Sequence, residues 1–87
     1  MSWIVSTKSR ADKALSRFPK KDYVAISIAI GEMTTDPFSG DIEKMKGEES
    51  YKRRVRNYRI KFEINQDSKT VYIYDIERRT STTYRKR

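Results

Sequence analysis

Basic side chains are concentrated in one segment of the sequence. Six lysines and arginines fall within residues 51–61, and no acidic residue interrupts them. Both side chains bind phosphate, and the arginine fork can bond two phosphate oxygens at once. From Tyr58 to Ile64 every second residue is apolar, and Arg59 and Lys61 lie between them. Successive strand side chains point to opposite faces, so this segment predicts a strand with one core face and one face suited to a polyanion.

The overall charge favours the same type of ligand. The 87-residue chain carries 20 basic and 12 acidic residues, a formal net charge of +8, and predicts a single domain spanning residues 1–87. Residues 78–87 add a second cluster of five basic residues without an acid. Such clustering is typical of a surface for nucleic acid or for an acidic protein, and a solvated basic face without a specific ligand is the third interpretation.

Several kinds of chemistry are excluded by composition. The chain has no cysteine and no histidine, so it lacks thiolate chemistry, the usual general base and the usual zinc ligands. The loop acids, Asp41, Glu43, Glu48 and Glu49, do not have the spacing of metal ligands. We therefore expect no metal and no cofactor. Without a signal peptide or a long apolar stretch, the sequence favours a soluble, cytoplasmic protein that does not bind membranes.

The secondary structure predicted from periodicity is a strand at residues 3–5, then two helices, then a group of strands. Helical spacing of apolar residues covers residues 8–18, and Pro19 separates them from a second helix over 20–35. The β-branched residues within 24–30 leave a buried strand as the alternative there. A loop region with a brief extended piece near residues 44–47 follows, and then strands at 51–56, 58–65 and 70–77.

This order predicts an α+β fold, with two helices packed on one face of a small, largely antiparallel sheet that ends in a β-meander. The other sheet face stays open. Lys52, Arg54 and Arg56 share a parity and are expected on that open face together with Arg59. The strand at 70–77 is apolar at both parities, which predicts a central strand buried on both sides.

The chain resembles the RelE/ParE superfamily of toxins from prokaryotic toxin–antitoxin pairs. The segments that carry this resemblance are Asp36-Pro37, residues 44–47, Tyr51 to Ile64, residues 70–77, and Arg78-Arg79 with Tyr84. They lie in the family's order, and with the agreement in length and element order the likeness covers the whole chain. The resemblance implies the RelE-like microbial RNase fold. RelE-like members are ribosome-dependent endoribonucleases that cut translated mRNA, whereas ParE-like members inhibit DNA gyrase.

The resemblance also implies which residues act on RNA. The positions that match the family's catalytic set are Lys52, Arg54, Arg59, Arg78 and Tyr84. The further cations expected to bind RNA are Lys44, Lys46, Arg56, Lys61 and Arg79. Cleavage by the RNA's own 2′-hydroxyl needs a proton acceptor and cations that stabilise the pentacovalent phosphate. Neighbouring positive charge disfavours a protonated lysine, which makes Lys52 the candidate acceptor. Tyr84 is suited to stacking on a base or donating a proton.

Partners follow from the same resemblance. A cognate antitoxin, the ribosome and mRNA are expected, and the toxin–antitoxin complex is expected to reach operator DNA through the antitoxin. Two other functions remain open: a ParE-like gyrase inhibitor, and a nucleic-acid-binding module without catalysis. The basic set and the short helices favour the RelE-like function.

Overall fold

The computed structural model describes residues 2–45 and 50–78, which form two helices and five strands. In chain order these elements are β1 (Ile4–Thr7), α1 (Ser9–Ser16), α2 (Lys20–Met33), β2 (Ile42–Lys44), β3 (Ser50–Val55), β4 (Tyr58–Asn65) and β5 (Thr70–Arg78). The predicted α+β class and element order are confirmed, and both helices are slightly shorter than predicted.

Helix α2 is helical over the whole β-branched segment, so the strand alternative for residues 24–30 is wrong. Ile26, Ala29 and Met33 recur at helical spacing and are 0%, 3% and 0% exposed. Their burial against the sheet outweighs the weak helix propensity of β-branched residues. The opposite side of the helix stays apolar at Val24 and Ile28. Neither helix of the described residues is long and apolar enough to span a membrane.

The strands form one mixed sheet in the order β1-β5-β4-β3-β2. β1 pairs in parallel with β5, and the three remaining pairings are antiparallel, as the predicted meander requires. β4 is therefore the middle strand, with β3 and β5 as its neighbours.

The core lies between the helices and one face of this sheet. Tyr58, Ile60, Phe62 and Ile64 of β4 are at most 7% exposed and pack with the buried side of both helices. Their parity places the polar residues of β4 on the other face. No helix of the described residues packs on that other face, which we call the open face.

A bulge in β5 explains why that strand is apolar at both parities. Lys61 pairs with Asp75 and Phe62 with Ile73, so Tyr74 is an extra residue without a partner on β4. The bulge reverses the facing of every later residue, and Val71, Ile73 and Ile76 all reach the core despite their mixed parity. The prediction that β5 is buried on both sides is therefore wrong, because its mixed parity comes from this shift and Tyr72 and Tyr74 are only half-buried.

Candidate functional site

Four basic side chains meet on the open face, where two like-charged pairs lie directly opposite each other. Lys52 of β3 pairs with Lys61 of β4, and Arg54 pairs with Arg59. Opposed residues of an antiparallel pair share a face, and their Cβ atoms are about 5 Å apart. Like charges in this arrangement destabilise a sheet. We call these four residues the cation block; the expected placement of Lys52, Arg54 and Arg59 on one face is confirmed.

Three carboxylates, from β2, β5 and the loop before β2, lie within 4 Å of cations of the block. Lys52 Nζ lies 3.9 Å from a Glu43 oxygen, and Arg54 Nε lies 3.2 Å from an Asp41 oxygen. Glu77 of β5 contacts two cations: its carboxylate is 3.0 Å from Lys61 Nζ and 3.9 Å from Arg59 Nη1. The three carboxylates are more exposed than the side chains of Lys52 and Lys61, whereas those of Arg54 and Arg59 are 51% and 37% exposed, so the two lysines lie deepest in the site.

These acidic partners were not identified from the sequence. In the sequence, Asp41 and Glu43 are loop acids without metal-ligand spacing, yet β2 and the preceding loop bring them beside β3. Glu77 faces the cation block only because the bulge at Tyr74 reverses the facing of the residues after it. No pattern in the sequence signals that bulge, so strict alternation would have placed Glu77 on the helical side.

A buried arginine supports the block from the helical side. Arg53 is 8% exposed, donates a hydrogen bond to the Ala29 carbonyl of α2 at 3.2 Å, and pairs with Glu32. Its guanidinium also fills the space beside Gly40, where an added Cβ would lie 2.7 Å from Arg53 Nε. Arg53 therefore fixes β3 and the loop that holds Asp41.

Arg56 does not join the block, and the expectation that it shares the open face is wrong. It lies in the two-residue turn between β3 and β4, where its φ is +56°. Its Nε is 3.9 Å from an Asp22 oxygen of α2, on the helical side. The chain has left the strand at this residue, so strand parity no longer sets the direction of the side chain.

Lys44 and Arg78 also lie apart from the block. Lys44 pairs with Tyr51, whose ring stacks on the core residue Phe62, so Lys44 begins on the helical side. Arg78 pairs with Tyr58, which is 1% exposed in the core. Three further residues predicted to act on RNA, Lys46, Arg79 and Tyr84, lie outside the described residues.

The pKa of the Tyr58 phenol is affected by the nearby charge of Arg78. Burial raises the pKa of the Tyr58 phenol above its usual value of 10.0, and the 2.8 Å hydrogen bond that the phenol donates to Asp22 raises it further. The positive charge of Arg78 acts in the opposite direction on this pKa. Arg78 is thus electrostatically coupled to the core side of β4.

The chemistry available to the cation block is anion binding and charge stabilisation. Its guanidinium and ammonium groups donate hydrogen bonds to phosphate oxygens without needing a metal. Within residues 2–45 and 50–78, no group of three or more acidic side chains is arranged to hold a metal ion.

Comparison with solved structures identifies the fold. The chain matches the RelE–RelB complex of Pyrococcus horikoshii OT3 with a TM-score of 0.82 and 23% identity, covering 93% of this chain and 99% of that one. It matches the isolated Escherichia coli RelE toxin with a TM-score of 0.77 and 14% identity, covering 95% and 90%. The match to the RelB–RelE antitoxin–toxin complex of Methanococcus jannaschii has a TM-score of 0.71 and 27% identity, covering 84% and 88%.

No model of a known protein family matches the chain, and no curated protein matches it in sequence. The structural matches nevertheless cover nearly the whole chain. The protein therefore has the fold of the RelE toxins, and the resemblance to them that its motifs predicted is confirmed.

Proposed function

We propose that this protein is the toxin of a toxin–antitoxin pair and cleaves translated mRNA on the ribosome. The observation that carries this proposal is the cation block, in which two like-charged pairs are placed directly opposite each other on an open sheet face. Three carboxylates relieve part of this repulsion, and a bound polyanion would relieve it further. The RelE fold supports the choice of RNA as the polyanion.

In the proposed reaction the 2′-hydroxyl of one nucleotide attacks the adjacent phosphorus. Lys52 accepts the hydroxyl proton, while Arg54 and Arg59 stabilise the charge on the pentacovalent phosphate. The bond from phosphorus to the 5′-oxygen breaks, and that oxygen takes up a proton donated by Tyr84. The products are a 2′,3′-cyclic phosphate and a 5′-hydroxyl. Arg78 is proposed to bind phosphate, and Tyr84 is proposed to stack on a base or to donate the proton to the leaving oxygen.

The first experiment is induction of the wild type beside a Lys52→Ala, Arg59→Ala double variant. We expect growth arrest with cuts inside translated codons for the wild type, and neither for the double variant. Lys13→Ala with Arg17→Ala is the matched control, since it removes one lysine and one arginine from the exposed side of α1 and its C-terminus. Circular dichroism establishes that each variant is folded.

Other outcomes would redirect the proposal. Growth arrest with intact mRNA and loss of DNA supercoiling would contradict RNA cleavage and indicate a gyrase inhibitor. Fragments with 5′-phosphate ends would exclude attack by the 2′-hydroxyl. RNA binding with a steep salt dependence and no cleavage on ribosomes would leave only a nucleic-acid-binding module.

An antitoxin partner belongs to the same proposal, since solved neighbours include RelE–RelB complexes. The outer side of α2 suits such a partner: Val24 and Ile28 are 45% and 59% exposed beside Lys20, Lys21 and Arg56. An amphipathic segment with acidic flanks would bury the apolar pair and neutralise the cations. We expect the antitoxin to carry the complex to operator DNA, and the toxin to act in the cytoplasm, where its proposed ribosomal target lies.

Ile28→Glu tests this partner surface. We expect the variant to remain toxic but to escape neutralisation by the antitoxin encoded beside it, because a buried unpaired carboxylate is costly. Ile4→Glu is the control, since Ile4 is a 64% exposed apolar residue on β1. Neutralisation of both variants would exclude the outer side of α2 as the antitoxin site.

A further inference from the structure

We infer that Tyr74 is a platform on which a nucleobase of the bound RNA stacks, beside the cation block. The inference rests on the proposed RNA substrate and adds a base-binding position that the sequence did not predict. Its starting point is the bulge of β5, where Tyr74 has no partner on β4. Bulges re-aim single side chains and are common next to active sites.

The direction of the Tyr74 side chain follows from its hydrogen bond to Ser50. Ser50 has the parity of Lys52 and Arg54, so its side chain lies on the open face. The Tyr74 hydroxyl is 2.7 Å from the Ser50 hydroxyl. Tyr74 is therefore also on the open face, together with the cation block.

The Tyr74 ring must lie across β4 rather than stand upright on β5. β4 separates β5 from β3, so the Tyr74 and Ser50 backbones are two strand spacings apart, about 9.5 Å. Serine is short, and the phenol must span most of this gap to reach it. The Ser50 hydroxyl lies 3.5 Å from the Phe62 carbonyl of β4, which places the contact above the middle strand.

A ring in this position has one face on the sheet and the other toward solvent, in agreement with its half-buried state. Lys61 immediately precedes Phe62 on β4, so the ring adjoins the lysine pair of the cation block. Aromatic faces next to phosphate-binding cations are the usual composition of single-strand RNA sites, where each stacked base contributes about 1–3 kcal/mol. Tyr74 is held in place by Ser50 and Met45, so little conformational entropy is lost on stacking.

The test uses a short single-stranded RNA without ribosomes, with each base in turn replaced by an abasic nucleotide. For the wild type, we expect one position at which the abasic nucleotide weakens binding by roughly 5- to 150-fold. Tyr74→Leu removes the ring and should abolish that penalty, whereas Tyr74→Phe keeps the ring but loses the hydroxyl contacts to Ser50 and Met45, so it should retain part of the penalty. A fluorescent 2-aminopurine at the same position should be quenched by the wild type and by Tyr74→Phe only.

An equal abasic penalty in the wild type and in Tyr74→Leu would overturn the inference. So would the absence of any sensitive position in the wild type, a result that does not depend on whether a variant folds. Lys61→Ala should weaken all RNAs alike and leave the abasic penalty unchanged. A base-specific penalty that disappears in Tyr74→Leu, without mRNA cleavage on ribosomes, would support the platform and contradict the nuclease. Cleavage of mRNA on ribosomes without such a penalty would support the nuclease and contradict the platform.

Discussion

Removing the negative charge of Glu77 should tighten RNA binding, although Glu77 forms ion pairs with two cations of the block. Its carboxylate contacts both Lys61 and Arg59, at 3.0 Å and 3.9 Å, and it is 42% exposed. A phosphate bound by the same two cations would have to share them with this carboxylate. We therefore expect Glu77→Gln, which keeps the shape and removes the charge, to tighten RNA binding.

The magnitude follows from the charge separation. Two cations shared between a carboxylate and a phosphate leave the two anions about 4–6 Å apart, where they repel by ~1 kcal/mol in bulk water and up to ~4 kcal/mol at an effective dielectric constant of 20. The exposed position of Glu77 places the site near the aqueous end, at about 1–2 kcal/mol. That corresponds to roughly 5- to 30-fold tighter binding. Each cation released from Glu77 should also steepen the dependence of log K on log salt by roughly 0.7.

The assay is fluorescence anisotropy of a labelled single-stranded RNA, measured between about 50 and 200 mM salt. Asp12→Asn is the control, since it makes the same change in net charge at an exposed position of α1, away from the open face. Unchanged or weaker binding by Glu77→Gln would refute the reasoning and show that Glu77 orders the cations rather than competes for them. Tighter binding together with lost cleavage would show that Glu77 also handles a proton.

Three further predictions concern the fold that supports the site. Arg56→Gly should stabilise the protein by about 0.5–1 kcal/mol in urea denaturation, because a φ of +56° strains any residue with a side chain. It should leave cleavage intact, and a loss of cleavage would indicate that Arg56 contacts RNA. Gly40→Ala should lower the free energy of unfolding by about 2–3 kcal/mol, since the φ of Gly40 is +84° and the added Cβ would lie 2.7 Å from Arg53. Gly31→Ala, whose Cβ would have nothing within 4 Å, should be neutral or stabilising by up to about 1 kcal/mol. Equal effects of the two variants would contradict this packing. Because the pKa of Tyr58 is raised, the unfolded chain loses the phenolic proton first, so the free energy of unfolding should fall as pH rises above about 10, and Tyr58→Phe should lose that part of the pH dependence.

Much of the fold could be predicted because local patterns agree with tertiary burial. The alternation along β4 placed Ile60 and Phe62 in the core, and the spacing of Ile26, Ala29 and Met33 set the buried side of α2. Parity, with the apolar residues of β4 turned to the helices, predicts Lys52, Arg54 and Arg59 on one face, and pairing between β3 and β4 confirms it.

The remaining features depend on geometry that alternation cannot encode. One extra residue in β5 moves Glu77 to the open face and Arg78 to the side of Tyr58. A positive φ in the turn directs Arg56 toward α2. Both are irregularities of a single residue. Each turns a charged side chain close to the site away from the sheet face that strict alternation would give it.

On the open face, the positions and exposure of the charged side chains matter more for RNA binding than their net charge does. Each cation of the block has a carboxylate within 4 Å, yet Glu43 and Asp41 are 75% and 64% exposed while the side chains of Lys52 and Lys61 are 24% and 22% exposed. Exposed carboxylates can move aside at little cost, whereas the partly buried side chains of Lys52 and Lys61 have less freedom to move. A free RNA must still displace these acids, which lowers its net gain from each phosphate contact. Additional contacts from a large assembly would offset that loss, so we expect strong RNA cleavage only where such an assembly presents the strand, as a translating ribosome does.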